Sequence, residues 1–183
     1  MASSLPMRAV ITGGPGTGKS TLLAALADEG FAIFPEVARD ILQAPGGMEL
    51  RAERPAEFAT AMLEAEQTAW LAAKPGWAVY DRGFPDIAGF LELESMAVSN
   101  AVDEACLDLR YSGPIFRAPS WRAIYSTDEQ RIQSWEQAVA SDLAVCAAWR
   151  TFGYDLVDLP LASVSDRVQF VRDKLGAWVA SPA

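Results

Sequence analysis

The chain has 183 residues, 51% of them hydrophobic, which is enough for one complete core and too few for two comfortable domains, so a single domain over residues 1–183 is expected. A net charge of -9 and a pI of about 4.5 leave no electrostatic footprint for nucleic acid or for an anionic membrane surface. The absence of histidine removes Ser-His-Asp and Cys-His mechanisms and ordinary histidine zinc sites, so acid-base chemistry falls to carboxylates or to the substrate.

Residues 1–6 carry neither a basic region nor an apolar run, and no later run approaches membrane-spanning length; a soluble, cytoplasmic protein without membrane insertion is expected. Residues 7–12 read as a buried strand, followed by a glycine-rich loop and a helix from about Lys19 to Ala27 that Gly30 ends. A short apolar strand over 31–34 precedes a helix that starts near Pro35, and 44–47 reads as a loop. From Pro55 to about Ala73 helical spacing returns, with Phe58, Met62, Ala65 and Ala69 on one face.

Residues 77–81 form an apolar strand ending in a carboxylate, with helices predicted over 85–94 and 102–109. Ile115 and Phe116 suggest a fourth strand, and a loop runs from Arg117 to Ser126. Thr127-Asp128-Glu129-Gln130 has the spacing of a capping box and predicts the start of a long helix, with Ile132, Trp135, Val139, Leu143, Cys146 and Trp149 facing the core. Residues 154–160 read as the last strand, and a helix over 163–179 is expected to bury Val164, Val168, Val171 and Leu175. Cys106 and Cys146 stand alone in helical segments, without C-x-x-C spacing, and read as reduced packing residues. This alternation of strands and helices predicts an α/β fold: a mostly parallel sheet covered on both faces, with ligands above the carboxyl ends of the strands.

Between the first strand and helix stands Gly13-Gly14-Pro15-Gly16-Thr17-Gly18-Lys19-Ser20, the G-x-x-x-x-G-K-S pattern of a Walker A phosphate loop. Backbone amides of such a loop converge into an anion nest, the following helix points its positive end at the same spot, and the lysine adds a charge. Nucleotide phosphates are therefore expected on Gly13, Gly14, Pro15, Gly16, Thr17, Gly18, Lys19, Ser20 and Thr21, with the Ser20 hydroxyl suited to Mg²⁺.

Three segments past strand ends are candidates to share that crevice. Asp81 closes an apolar strand as a Walker B carboxylate does and is expected to support Mg²⁺ with Ser20, a helix N-cap being the competing role. Arg82 is suited to clamp a substrate phosphate or to pair with a nearby acid. Glu36 is placed to take a proton from an acceptor hydroxyl and Arg39, one turn on, to orient the acceptor or the glutamate; an ordinary ion pair is the competing account. Arg117, Trp121, Arg122 and Arg131 surround a loop that reads as a lid, with Arg122 and Arg131 the better candidates to meet transition-state charge. Phe84 and Phe90 are candidates to line the acceptor pocket, although such aromatics are more often core residues than ligand contacts.

The only asparagine, Asn100, is not part of an N-K-x-D guanine motif, and Asp81 is followed by arginine rather than by the glutamate that activates water in ring-forming ATPases. Asp-Arg at this place is common in small-molecule and nucleotide kinases. Taken together, ITGGPGTGKSTLL, FPEVARDIL, VYDRGFPDIAGF and WRAIYSTDEQR resemble an AAA-labelled family of small P-loop ATPases that includes domains related to the nicotinamide-riboside kinase part of the bacterial NadR regulator. The resemblance implies a kinase-like three-layer P-loop NTPase fold with strand order 2-3-1-4-5, and ATP, with GTP possible, plus Mg²⁺ as ligands. The expected activity is transfer of the ATP γ-phosphoryl group to a small acceptor, with Lys19, Asp81, Glu36, Arg122 and Arg131 as catalytic candidates. The other function considered is a nucleotide-dependent regulatory or binding module with slow hydrolysis. Neither the acceptor nor the oligomeric state is legible in the residues.

Overall fold

The computed structural model describes residues 5–125 and 134–180. In chain order the elements are β1 (Pro6–Thr12), α1 (Lys19–Asp28), β2 (Ala32–Phe34), α2 (Val37–Gln43), α3 (Gly47–Glu53), α4 (Pro55–Ala72), β3 (Gly76–Asp81), α5 (Phe84–Leu93), α6 (Asn100–Asp108), β4 (Ile115–Arg117), α7 (Trp135–Thr151), β5 (Leu156–Asp158) and α8 (Val164–Ala180). The strands form one parallel sheet in the order β2-β3-β1-β4-β5, as expected. After β1 the chain first builds the sheet on one side, through β2 and β3, and then crosses to the other. The carboxyl end of β1, between β3 and β4, is thus the switch point where α/β sheets open a crevice.

Strand periodicity sorts the core into two layers. Val10, Ala78, Tyr80 and Ile115 pack under α4, α5, α6 and α7, whereas Ala9, Ile11, Val79 and Phe116 pack under α1 and α8. α1 ends in a Schellman motif: Gly30 takes φ 92°, its N–H donates to the Ala27 carbonyl, and the Phe31 N–H reaches back to the Leu26 carbonyl. Both free cysteines are buried, and burial pushes each thiol up to about 12, in keeping with a packing role.

Several sequence expectations are corrected. The 44–47 loop is shorter than expected, because Gly47 already opens α3, a two-turn helix over a segment with no expected element; Gly47 is its only buried residue, and a Cβ there would strike the Ile41 carbonyl, so α2 and α3 meet through that glycine. The long helix opens at Trp135, not at Thr127, because Ser134 and Gln137 form the reciprocal capping box: the Gln137 N–H donates to Ser134 Oγ at 3.2 Å and the Ser134 N–H to Gln137 Oε1 at 2.7 Å. The Thr127 to Gln130 segment and Ile132 lie outside the described residues. Leu143 is 61% exposed, since the buried face of α7 runs through Ala138, Asp142, Val145, Cys146 and Trp149. Asp142 is tolerated there because Arg117 donates to it from Nη2 at 2.7 Å and from Nε at 3.2 Å. Val164 is likewise exposed, on the first turn of α8, and Val168, Val171 and Leu175 carry the packing. In α4, Phe58 and Met62 are buried as expected, Ala65 and Ala69 only partly, and Glu66 is inside.

Trp149 is fully buried, packs its ring against Tyr111 and Tyr154, and donates its indole N–H to Asp86 at 2.9 Å. Trp149→Ala is expected to lower stability by about 3–5 kcal/mol, whereas Leu143→Gln stays within about 0.5 kcal/mol of the parent; urea midpoints at unchanged m-value measure both.

Candidate functional site

The loop between β1 and α1 is shaped by contacts that leave no space for side chains. Gly13 sits at φ 126°, and a Cβ on it would collide with the Ala118 carbonyl at the end of β4. Gly18, at φ 77°, is the N-cap of α1; no side chain caps that end, and its first turn has no acidic residue. The free amides and the positive end of the helix dipole therefore face the crevice unopposed. Lys19 lies on the first turn, buried, with Nζ donating to the Gly14 carbonyl at 2.7 Å and the Gly13 carbonyl at 3.2 Å. Burial lowers its ammonium to about 8, helped by Arg82 and partly opposed by Asp81, Glu36 and Asp86. Thr17 Oγ1 donates to the Gly14 carbonyl, locking the turn from inside, while Ser20 and Thr21 are exposed.

The end of β3 faces this loop. Asp81 is 5% exposed and its Oδ1 is buried without a hydrogen-bond partner. Burial holds its carboxyl above the ordinary range, although Lys19 pulls the other way. An orphaned carboxylate oxygen at the end of β3, with an exposed serine hydroxyl on the first turn of α1, fits a hard cation that takes one carboxylate and fills its remaining positions with water and phosphate oxygens. Arg82 follows in the left-handed region, at φ 76°, a conformation that costs a non-glycine residue about 1–3 kcal/mol. Its backbone N–H bonds to the Ile11 carbonyl, Nε to Glu36 Oε1 at 2.7 Å, and Nη1 to the Gly13 carbonyl at 3.0 Å and Asp86 Oδ1 at 3.2 Å. One guanidinium thus spans the phosphate loop and the start of α2.

Glu36 is the N-cap of α2 but makes no capping bond with its side chain, which is turned to Arg82. Burial alone would raise its pKa; Arg82, Lys19 and Arg39 outweigh that and hold the carboxyl below the usual range. Arg39 stands 3.7 Å from Glu36 and also reaches Ser20 Oγ at 3.4 Å, so the E-x-x-R pair borders both sides of the crevice. Lys19, Ser20, Glu36, Arg39, Asp81 and Arg82 therefore meet in one place.

The lid candidates divide. Arg117 is the last residue of β4 and is held by Asp142 and Asp158, a structural role. Arg122 is exposed, 5.2 Å from the Trp135 ring centroid, and pairs with none of the crevice carboxylates among the described residues. Arg131 lies outside the described residues. Trp121 and Ile124 do border a cavity of about 430 Å³, completed by Gly16, Gly18, Thr21, Ala162, Ser163, Val164 and Arg167. Phe84 is fully buried in the core and lines no crevice, and Phe90 packs edge-on against Phe58 at 5.4 Å.

Sequence reasoning missed Asp86, which also accepts from Thr12 Oγ1 at 2.6 Å and from the Gly83 N–H at 3.0 Å; its one trace in the chain is the four-residue spacing from Arg82. It also missed Arg167, buried against the loop, and Glu66, whose burial raises its pKa to about 8 even though the Tyr111 hydroxyl donates to it at 2.8 Å; Asp86 and Asp81 add to the rise. Glu66 keeps its proton in the fold while the unfolded chain, at 4.5, loses it, so its contribution is neutral below about pH 4.5 and increasingly destabilising up to about pH 8. Glu66→Gln is expected to raise the unfolding free energy at neutral pH by on the order of 3 kcal/mol, read from the urea midpoint at unchanged m-value, with the gain over the parent shrinking as pH falls towards the unfolded value.

A family model described as an AAA domain matches residues 8–167. No curated protein matches the sequence. Among solved structures, deoxyadenosine kinase from M. mycoides superposes with a TM-score of 0.69 at 15% identity, over 93% of this chain and 99% of that one. Thymidylate kinase from Candida albicans gives 0.61 at 8% identity, over 96% and 93%, and shikimate kinase from Aquifex aeolicus 0.58 at 11%, over 93% and 97%. At such identities the likeness is one of fold: the arrangement is that of the P-loop kinases.

Proposed function

The chain belongs to the AAA-domain family matched over residues 8–167, and from that premise we propose that it is a phosphotransferase moving the γ-phosphoryl group of ATP to a small hydroxyl- or phosphate-bearing acceptor. The observation that carries this reading is Arg82, whose guanidinium joins the Gly13 carbonyl of the phosphate loop to Glu36 at the head of α2. It sets a donor side and an acceptor side at a constant separation, as in-line transfer requires. Nucleotide binding is supported by the solved deoxyadenosine kinase structures of this fold, which hold dATP and dCTP.

Loop amides and Lys19 would receive the donor phosphates, and phosphate charge would draw the lysine back towards its ordinary pKa. Ser20 and Asp81 would hold Mg²⁺, which when bound supplies charge neutralisation on the phosphates. Arg82 and Arg39 border the position where equatorial oxygens of the transferred group gain charge. The acceptor oxygen forms its bond to the γ-phosphorus as the bridge to the leaving diphosphate breaks, and its proton passes to Glu36. With its pKa held low, Glu36 is a weak base; in a loose transition state its larger part is to orient the hydroxyl. The cavity beside Trp121 and Ile124 has apolar walls and room for a nucleoside. The motifs shared with nicotinamide-riboside kinase-related domains make nucleosides the first class to try. A single domain over residues 1–183 and a cytoplasmic location belong to the same proposal.

Purified protein with Mg-ATP and a panel of nucleosides, nucleoside monophosphates and polyhydroxy acids, read by ADP release, is expected to show acceptor-stimulated turnover. Asp81→Asn and Lys19→Met are each expected to lower it by about 100-fold or more without unfolding the chain. Tight nucleotide binding with no acceptor stimulation overturns the kinase assignment in favour of the regulatory module.

A further inference from the structure

Among the described residues, Arg167, on the first turn of α8, is a buried cation without a counter-ion. Its residue is 3% exposed, Nη1 donates to the Thr17 carbonyl at 3.0 Å, and Nε is buried with no partner at all. No carboxylate pairs with it among the described residues; the neighbouring Asp166 is taken by Ser163, whose hydroxyl donates to it at 2.6 Å. Burying an unpaired guanidinium is costly, and the usual resolution is an anion or a change of charge. Arginine does not readily lose its proton, so an anion is the missing partner.

Position says which anion. Nη1 lies 2.9 Å from where a Gly18 Cβ would be, at the flank of the loop, and the side chain lines the cavity with Trp121 and Ile124. Lys19, in contrast, has Arg82, Asp81, Glu36 and Asp86 as its charged neighbours, which marks the transfer side of the loop. Between the nest and an apolar cavity lies the place for the phosphate that joins a nucleoside to its polyphosphate. We propose that Arg167 binds this nucleoside-proximal phosphate, holding the Thr17 carbonyl with one N–H and the phosphate with others, so that α8 adds a contact that a nucleotide makes and a single phosphate in the nest does not. The proposal rests on the nucleotide reading above.

Calorimetric titration of the whole chain with ADP and with inorganic orthophosphate tests it, since a single phosphate fills the nest and leaves the nucleoside-proximal position empty. Arg167→Gln keeps a donor for the Thr17 carbonyl and removes the charge. ADP affinity is expected to fall about tenfold or more, the scale of a charge-assisted hydrogen bond, with orthophosphate changed by less than about twofold. Equal losses for both ligands reduce Arg167 to a support of the loop and overturn the proposal, as does an unchanged ADP affinity. Should Arg167→Gln fail to fold, Arg167→Lys is titrated instead: a loss of about threefold for ADP against unchanged orthophosphate supports the proposal, and equal losses overturn it. Wild-type protein that binds neither ligand overturns the nucleotide reading itself, whereas wild-type binding of both with an unselective variant overturns only the role of Arg167.

Discussion

Four donors from separate parts of the chain converge on the buried carboxylate of Asp86: the Thr12 hydroxyl, the Gly83 amide, the Arg82 guanidinium and the Trp149 indole. That is about the full accepting capacity of a carboxylate. The donors sit at the end of β1, in the turn after β3, and on α7, so one side chain aligns the strand that becomes the phosphate loop, the arginine that spans the crevice, and the helix that roofs it. Loss of its acceptors would leave several buried donors unpaired, each at a cost of about 1–3 kcal/mol. The left-handed backbone of Arg82 is tolerated in this setting because its amide and its side chain are both held.

Charge around the loop is mixed rather than simply positive. Lys19 and Arg82 stand among Glu36, Asp81 and Asp86, and Arg82 is divided between Glu36, Asp86 and a loop carbonyl. Side-chain charge alone therefore does not make this an anion site; convergent amides, the uncapped end of α1 and cations at the flanks must do so. The same mixture keeps Glu36 ionised and Asp81 raised within one small space, two carboxylates pushed apart by burial and by their different distances from cations.

Legibility in the sequence followed the range of the interactions. Strands, the glycine loop and most helix positions were readable because they depend on near neighbours: alternation in β1 and β3, Gly30 at the end of α1, Pro55 at the start of α4. Misreadings arose where a polar side chain occupies a core position. Asp142 and Glu66 interrupt apolar stripes, so periodicity moved Leu143 inward and passed over Glu66. Their partners Arg117 and Tyr111 lie 25 and 45 residues away. The capping box was assigned to Thr127 rather than Ser134 because both segments carry the same local pattern, and spacing alone does not rank them.

The residues between Met7 and Thr21, with Asp81 and Arg82, determined by themselves the kind of fold and the phosphate loop, because a glycine-rich turn between a strand and a helix acts through its own backbone. Which carboxylates and arginines belong to the crevice was decided only by tertiary structure. Glu36, Asp86 and Arg167 acquire their meaning from groups brought in by other strands and helices, and contacts across 46, 63 and 150 residues leave no signature in the local order of the chain.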